Sequence, residues 1–518
     1  MEETKEKYKE LLKDKKLEEI DKNFEQKKNK IKTWLNNPYN LAIFGLIALA
    51  FAIRLYYFLL TKDQAVWWDE AEYLLKAKNI VFGTPDTGWW FGRPILFPLI
   101  LALFFKLGIG EIGVRFLLVL LSTFNIFLIY LIGSKLFNKK IGLIAGFLFS
   151  VFYIDLFYTM RLLVNMPEVF FILLASFFFI KGHLLKENKK YIWFIVPILL
   201  MGVLLRFTIG VFLIMFLIFL LITEKQKLFT NKDWWISVLF GFIAFFPYGI
   251  WSFIKFKNPL YVITYVFGTA VGQRNPGDTP ISVFMQYIQY FPNYTSYLIF
   301  FVFILGLILL IFELSLGFDL LLKKNQKQEK LFFIFLWVLI PMIYFGFFVN
   351  HFEDRYLSMV FPAVFLISAM FLDKSQLFLL KYNKLLSIVL IIIILAIGGY
   401  QMLNHSDKII KEKIPSYFPV KQAGIWILEN TLPGDKIMTM SRPQNTYYSE
   451  RETFPVPATE NDFGPNLTSI KPQYFIVSIW ENYPQYTSSL NLTKYNLNPI
   501  KAYPDETNPN LIIYKTQF

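Results

Sequence analysis

YLIFFVFILGLILLI, residues 297–311, carries no charge, and LLSIVLIIIILAI at 385–397 repeats the pattern. With their flanks, both are long enough to cross the hydrocarbon core of a bilayer, which takes about 20 apolar residues in a helix. Many other segments follow the same plan. They override the prior that 518 residues fold as several soluble domains of roughly 100–200 residues each. Composition agrees: the chain is 55% hydrophobic and 19% aromatic but only 17% charged, below the roughly 25% of soluble domains. Disorder is excluded, an ordinary soluble enzyme is argued against, and the chain reads as a mainly α polytopic membrane protein.

Eleven transmembrane helices are expected near 41–60, 113–134, 141–157, 166–180, 191–205, 208–222, 234–253, 297–320, 331–349, 356–372 and 385–400. Lys and Arg number 52 and Asp and Glu 38, a net charge of +14. Its placement matters more than its size, because a membrane reads basic residues loop by loop. Residues 1–40 hold +2, residues 401–518 are neutral, and the hydrophobic body holds +12. With the N-terminus cytoplasmic, the loops 135–140, 181–190, 223–233, 323–330 and 373–384 lie inside and carry all of that +12. The excess therefore reports topology, N-terminus in and C-terminus out, and not a nucleic-acid partner. The stretch PILFPLILALFFKL, 94–107, is short for a crossing and is expected as an interfacial helix on the outer face.

Three units follow. Residues 1–40, rich in Lys and Glu, read as a charged cytoplasmic helix without the apolar core of a signal peptide. Residues 41–400 form the membrane domain, with 61–112 as its first outer loop. Residues 401–518 read as a small extracytoplasmic α/β domain, with a helix at 420–429 and strands at 436–440, 474–480 and 511–514. With no Cys in the chain, that domain rests on its own core and on the membrane body.

Phosphate-loop and thiolate sites are excluded, and His183, His351 and His405 are too scattered to form a metal site, so no metal is expected. Carboxylates and guanidiniums remain. The richest stretch is WWDEAEYLLKAKNIVFG, 67–83, an amphipathic helix for the outer interface. Asp69 stands at its start with Glu72 three residues on, the spacing of a capping box. A carboxylate there is also kept ionised by the helix dipole, as a hydroxyl-activating base requires, and Glu70 lies beside it. In GRPILFPLILALF, 92–104, Arg93 falls near the depth of a lipid phosphate. Its alternative is an ordinary snorkelling contact. Arg161 in YTMRLLVNMPE and Arg206 in LLRFTIG lie near outer helix ends, where a dry charge needs a partner or a cavity. Glu168 is explained by an N-terminal dipole interaction, and Asp155 is a further outer carboxylate. HFEDRY, 351–356, adds Glu353, Asp354, Arg355 and Tyr356 in a short outer loop, otherwise read as a solvent-exposed ion-pair cluster.

The order of these motifs resembles the GT-C superfamily of polyprenyl-phosphate-dependent glycosyltransferases over 41 to about 372, in particular its protein O-mannosyltransferase and aminoarabinose transferase branch. The features that carry it are RLYY (54–57), DEAEY (69–73), RPILFP (93–98), KLFNKKIGLIAG (135–146), MRLLVNMP (160–167), LLR (204–206) and DRYLSMVFP (354–362). The resemblance implies Asp69 as catalytic base with Glu70 as acidic neighbour. Arg93, and more weakly Arg161 and Arg206, would bind the donor phosphate. Asn165, Glu168, Glu353, Asp354, Arg355 and Tyr356 are further substrate-binding candidates, although relatives often have a carboxylate where Asn165 stands. The implied donor is a sugar on a polyprenyl phosphate, with no cofactor besides. The implied acceptor is a protein, lipid or glycan hydroxyl, reached by inverting displacement. Residues 401–518 fall outside the resemblance. The competing readings are a transporter or lipid flippase, and a membrane anchor for a C-terminal binding module.

Overall fold

The fold is given by a computed structural model that describes residues 24, 28, 32, 33, 36–89, 93–261, 264, 279–349 and 351–517. Most of the expected helix at 1–40 lies outside the described residues, as does GQRNPGD, 272–278. Among the described residues, nine helices are long and apolar enough to cross a membrane: Pro38–Thr61, Gly110–Leu136, Asn165–Leu184, Phe207–Glu224, Lys232–Phe256, Tyr297–Leu316, Gln326–Phe348, Phe361–Leu379 and the segment beginning at Lys384. The span expected at 141–157 is a pair, Lys139–Ser150 and Tyr153–Thr159, bent by 55°. That at 191–205 is a 3-10 segment, Lys189–Phe194, running into the short helix Ile195–Val203. The stretch read as interfacial is the short apolar helix Leu96–Lys106.

Small residues let the membrane helices approach closely. A Cβ on Gly142 would lie 2.5 Å from the Tyr130 carbonyl oxygen, so glycine there allows the helices Gly110–Leu136 and Lys139–Ser150 to touch through their backbones. A buried charge pair ties the first of these spans to the bent pair. Arg54 and Asp155 are fully buried and form an ion pair; Arg54 Nε also donates to Ser122 Oγ at 2.6 Å, and Ser122 Oγ donates to Asp155 at 2.7 Å. Arg54 Nη1 donates to the carbonyls of Ala50 and Ser150, both at 3.1 Å. The second carbonyl is freed where the bent pair breaks, so Arg54 fills a gap in that ladder. Asp155 is thus an internal strut and not the outer-face carboxylate expected from sequence.

Glu111 and Lys135 mark the two ends of helix Gly110–Leu136, about 36 Å apart at 1.5 Å per residue. At the Glu111 end sits the C-terminal unit. The last membrane helix, expected to stop at 400, continues to Lys413 and delivers the chain directly to helix Phe418–Asn430. Beyond it lies a five-stranded mixed sheet of β1 (Lys436–Met438), β2 (Glu452–Phe454), β3 (Tyr474–Ser478), β4 (Leu497–Tyr503) and β5 (Leu511–Thr516) in the order β2-β1-β3-β5-β4. β1 runs parallel to β2 and β3, whereas β5 is antiparallel to β3 and β4. The sheet covers two apolar clusters, one around Val420, Ile437 and Ile476 and one around Met438, Phe463 and Phe475. β2 and β4 escaped the sequence reading because they lie at the sheet edges with little buried alternation.

The unit is docked by buried tyrosines of helix Arg442–Ser449. Tyr448 Oη accepts from the Val66 N–H at 2.8 Å, and Tyr447 Oη donates to Glu111 at 2.7 Å. Glu111 in turn accepts from Arg115 at 2.8 Å. Lys78 pairs with Glu450 at 2.9 Å.

The Arg54–Asp155 pair generates a stability prediction. Arg54→Met leaves a carboxylate buried without its partner and should destabilise by about 3–5 kcal/mol. Thermal unfolding in detergent will show this, and the double variant Arg54→Met/Asp155→Leu should melt above Arg54→Met alone.

Candidate active site

Helix Trp68–Phe82 begins where Trp67 adopts extended backbone, and the Trp67 N–H is satisfied by Glu70 at 2.7 Å. It ends at Gly83, whose φ of +68° is the left-handed conformation that closes a helix. The reach-back that starts the helix is therefore made by Glu70, three residues after Trp67, and not by the expected pair Asp69 and Glu72. Those two side chains, three apart and so on one face, do something else. Both bind Arg93, with Nη2 donating to Asp69 Oδ1 at 2.5 Å and Nη1 to Glu72. The Arg93 guanidinium also lies 5.7 Å from the Tyr73 ring centre.

The other oxygen of Asp69 belongs to a distant segment. Arg355 Nη1 donates to Asp69 Oδ2 at 3.0 Å, while its Nε donates to Glu353. His351 Nε2 lies 3.3 Å from Glu353 and 3.0 Å from Tyr356 Oη. HFEDRY is thus not a set of exposed surface pairs; Asp354–Met359 is a 3-10 turn, and the next span begins only at Phe361. Burial would raise the Glu353 carboxyl, but hydrogen bonds from His351 and Arg355 outweigh it and hold it at about 2. Burial would likewise lower Arg355, yet Glu353 and Asp69 keep it above the ordinary guanidinium value. Burial lowers Arg93, with Asp69 opposing the effect and Arg355 adding to it. Tyr356 is pushed up to about 12, chiefly by burial and then by Glu353.

Asp69, 29% exposed, opens into a cleft of about 540 Å³ lined also by Trp67, Trp68, Tyr158, Leu163, Glu353, Asp354 and Arg355. Its far wall is Lys413, Ser416, Tyr417 and Trp480, from the end of the last membrane helix and the C-terminal unit. Asp354 accepts from Tyr153 at 3.0 Å and Tyr158 at 2.8 Å, which fixes the turn against the bent pair. Arg206 pairs with Glu168 at 2.5 Å, and its guanidinium lies 5.1 Å from the Tyr356 ring centre. Glu168, which also accepts from Thr208, is held by these partners and not by a helix dipole alone. Asn165 is buried and donates to the Arg355 carbonyl at 3.3 Å.

Glu70 and Arg161 form a separate pair behind the cleft. Glu70 accepts from the Leu162 N–H at 2.6 Å and lies 3.5 Å from Arg161. Arg161, 1% exposed, stacks 3.7 Å from the Trp67 ring centre and donates to the Ala65 and Lys413 carbonyls. Burial lowers it to about 10. Neither side chain lines the cleft. Sequence reasoning missed Lys413, Tyr158, Tyr417 and Trp480; no local spacing pointed to them, because only the fold of the last helix and C-terminal unit brings them to Asp69. Among the described residues, no three His, Cys, Asp or Glu side chains converge as a metal site.

Residues 92–251 match the model of the dolichyl-phosphate-mannose-protein mannosyltransferase family. No curated protein matches the chain by sequence. In fold it is similar to ArnT from Cupriavidus metallidurans bound to undecaprenyl phosphate, with a TM-score of 0.66 and 11% identity over 91% of this chain and 98% of that one. It is also similar to the archaeal oligosaccharyltransferase AglB from Archaeoglobus fulgidus in complex with an inhibitory peptide and a dolichol-phosphate, at 0.62 and 12% over 92% of this chain and 74% of that one. A match over 91% of the chain exceeds what residues 1–400 can supply, so the likeness extends into the C-terminal unit, which the sequence motifs had left out. The fold is thus ArnT-like over nearly the whole chain, and the match to the mannosyltransferase family covers residues 92–251, within the stretch whose ordered motifs resemble the GT-C superfamily.

Proposed function

We propose that this membrane glycosyltransferase moves a sugar from a polyprenyl-phosphate donor to an acceptor hydroxyl in the cleft at Asp69. The observation that carries the reading is the Asp69 carboxylate held between Arg93 and Arg355 beside an open cleft. The phosphates bound by the ArnT and AglB relatives support such a donor, and the AglB peptide supports a protein acceptor. Lipid and glycan acceptors use the same hydroxyl chemistry. A transporter reading finds no comparable support, because the ionic network sits at one end of the bundle and not at its midplane.

In the free protein each Asp69 oxygen already accepts from a guanidinium. A donor phosphate entering this network takes over hydrogen bonds from Arg93 or Arg355 and releases a carboxylate oxygen. That oxygen accepts the proton of the acceptor hydroxyl as the hydroxyl oxygen attacks the anomeric carbon. The bond from that carbon to the phosphate oxygen breaks, its electron pair leaving with the polyprenyl phosphate, whose charge the arginines stabilise. A single displacement inverts the anomeric centre. The arginines supply the positive charge, so the scheme uses no metal or cofactor. Glu353 keeps Arg355 aimed, and Glu168 does the same for Arg206.

The orientation that fits is N-terminus cytoplasmic, with the C-terminal unit and the cleft on the extracytoplasmic side, where the donor is lipid-borne. Lys135, Lys140, Lys330 and Lys374 gather at the opposite end, through Lys140–Asp373 at 2.7 Å, Lys374–Glu313 and the Lys330 contact to the Lys135 carbonyl at 3.3 Å.

Asp69→Asn should lose about 10²- to 10⁴-fold in turnover, assayed in vesicles charged with lipid-linked sugar; full activity removes Asp69 as the base. Arg93→Ala should also lose turnover while keeping the wild-type helical circular dichroism. Chiral analysis of the product should find an inverted anomeric centre. Because the Glu353 carboxyl is held low in the folded state, its stabilisation is present above the ordinary carboxyl value of about 4.3 and is lost as pH falls towards 2. Glu353→Gln should therefore melt below wild type at neutral pH, and the gap should narrow between about pH 5 and about pH 3.

A further inference from the structure

Two cavities meet at Lys374, at the end of the bundle opposite the cleft. The first, of about 340 Å³, is apolar inside, around Leu331 and Met370, and carries Glu313, Lys327, Lys330, Asp373 and Lys374 among its polar groups. The second, of about 360 Å³, runs between helices Tyr297–Leu316 and Phe361–Leu379, where Leu309, Phe371, Phe378 and Leu379 make it almost wholly apolar apart from Lys374 and Ser375. Ile308, Phe312 and Phe378 are exposed on those two helices, as a surface turned to lipid requires.

The charges around the first cavity do not balance. Glu313 is bound by Lys374 and lies 3.3 Å from Lys327. Asp373 accepts from Lys140 at 2.7 Å and from Asn138 at 2.9 Å. Lys330, among the described residues, donates only to the Lys135 carbonyl, at 3.3 Å. Four ammonium groups thus surround two carboxylates, an excess of two positive charges. Helices Lys139–Ser150 and Gln326–Ile343 both begin here, and their positive ends add to that excess. Lys327, 70% exposed, is free to swing from Glu313 towards a ligand.

A rim of this sign concentrates anions, and the neighbouring apolar lane narrows the choice. A free phosphate uses the lysines and leaves the lane empty. A lipid with no net charge fills the lane and leaves the excess charge unmet. A lipid with a net negative headgroup uses both, because Lys374 stands on the rim of the first cavity and at the head of the second. Basic pockets between membrane helices suit such headgroups, and the methylene stem of a lysine covers apolar surface while its ammonium reaches the phosphate. We propose that the two cavities hold one anionic phospholipid, with its phosphate among Lys327, Lys330 and Lys374 and one acyl chain against Leu309 and Phe371. In the orientation that fits the basic loops this lipid belongs to the cytoplasmic leaflet. It bridges three spans, and its binding is independent of the reaction at Asp69.

Native mass spectrometry of the full chain in a neutral detergent, titrated with dioleoylphosphatidylglycerol, should find one tightly retained lipid. Dioleoylphosphatidylcholine should be retained about tenfold less, and Lys330→Gln and Lys327→Gln should each weaken phosphatidylglycerol by about fivefold. Lys411→Gln, at the cleft end of the last membrane helix, should leave its binding unchanged. Lys327→Gln, on an exposed side chain, serves if Lys330→Gln does not fold. Glycerophosphoglycerol, the same headgroup without chains, and inorganic phosphate should not displace the lipid at equal concentration. Equal retention of the two lipids, unchanged binding in the folded variants, or an equal loss in Lys411→Gln overturns the assignment. Displacement by glycerophosphoglycerol or phosphate gives the rim to a water-soluble anion and overturns the lipid as occupant.

Discussion

A carboxylate shared by two guanidiniums organises this end of the molecule. Asp69 comes from the helix after the first span, Arg93 from the approach to a short apolar helix, and Arg355 from the turn before the eighth of the nine long spans. Each lies in a partly buried, low-dielectric setting where an unmatched charge would be expensive. The surrounding groups follow from that constraint. Glu72 completes Arg93, Glu353 completes Arg355, and Tyr153 and Tyr158 hold the backbone of that turn through Asp354. An anion entering such a network would exchange partners with a carboxylate and need not find a vacant cation, which in the proposed reaction links donor capture to the release of a base.

The C-terminal unit is part of the same construction. It is docked through Tyr447 and Tyr448 onto groups adjoining the first helix of the site, and its Tyr417 and Trp480 form a wall of the cleft. A continuous helix from Lys384 to Lys413 joins it to the membrane body, so its placement is set by rigid backbone and not by a slack linker. The site is consequently assembled from residues 67 to 480, with hydrophobic helix packing supplying the alignment.

Much of this was legible in the chain. Long uncharged runs such as 297–311 announce spans directly, since lipid offers the backbone no alternative to a helix. The basic loops suggested an orientation, and the ordered motifs pointed to the superfamily whose fold this chain resembles. Asp69 and Arg93 were each visible as candidates, but their bond was not: the capping-box spacing of Asp69 and Glu72 describes a local use that Glu70 fulfils instead. Asp155 and Glu168 were read from their places near helix ends, whereas distant arginines decide their surroundings. Arg161 was read as facing a cavity or a partner, and the structure pairs it with Glu70 behind the cleft. Pairings such as Asp69 with Arg355 leave no periodic trace, because a long-range ion pair is a property of the packed bundle.

The buried Arg54–Asp155 strut also has a history written into it. During synthesis Arg54 enters the bilayer 101 residues before its carboxylate exists, a delay of roughly 5–20 s at about 5–20 residues per second. For that interval the first span must carry a solitary arginine, at a cost of about 3 kcal/mol on insertion scales. Its twelve Leu, Ile and Phe residues, at about 0.3–0.6 kcal/mol each, more than offset that. The apolar side chains that helix Pro38–Thr61 turns to lipid in the finished bundle thus also carry its arginine through insertion, before the partner carboxylate has been made.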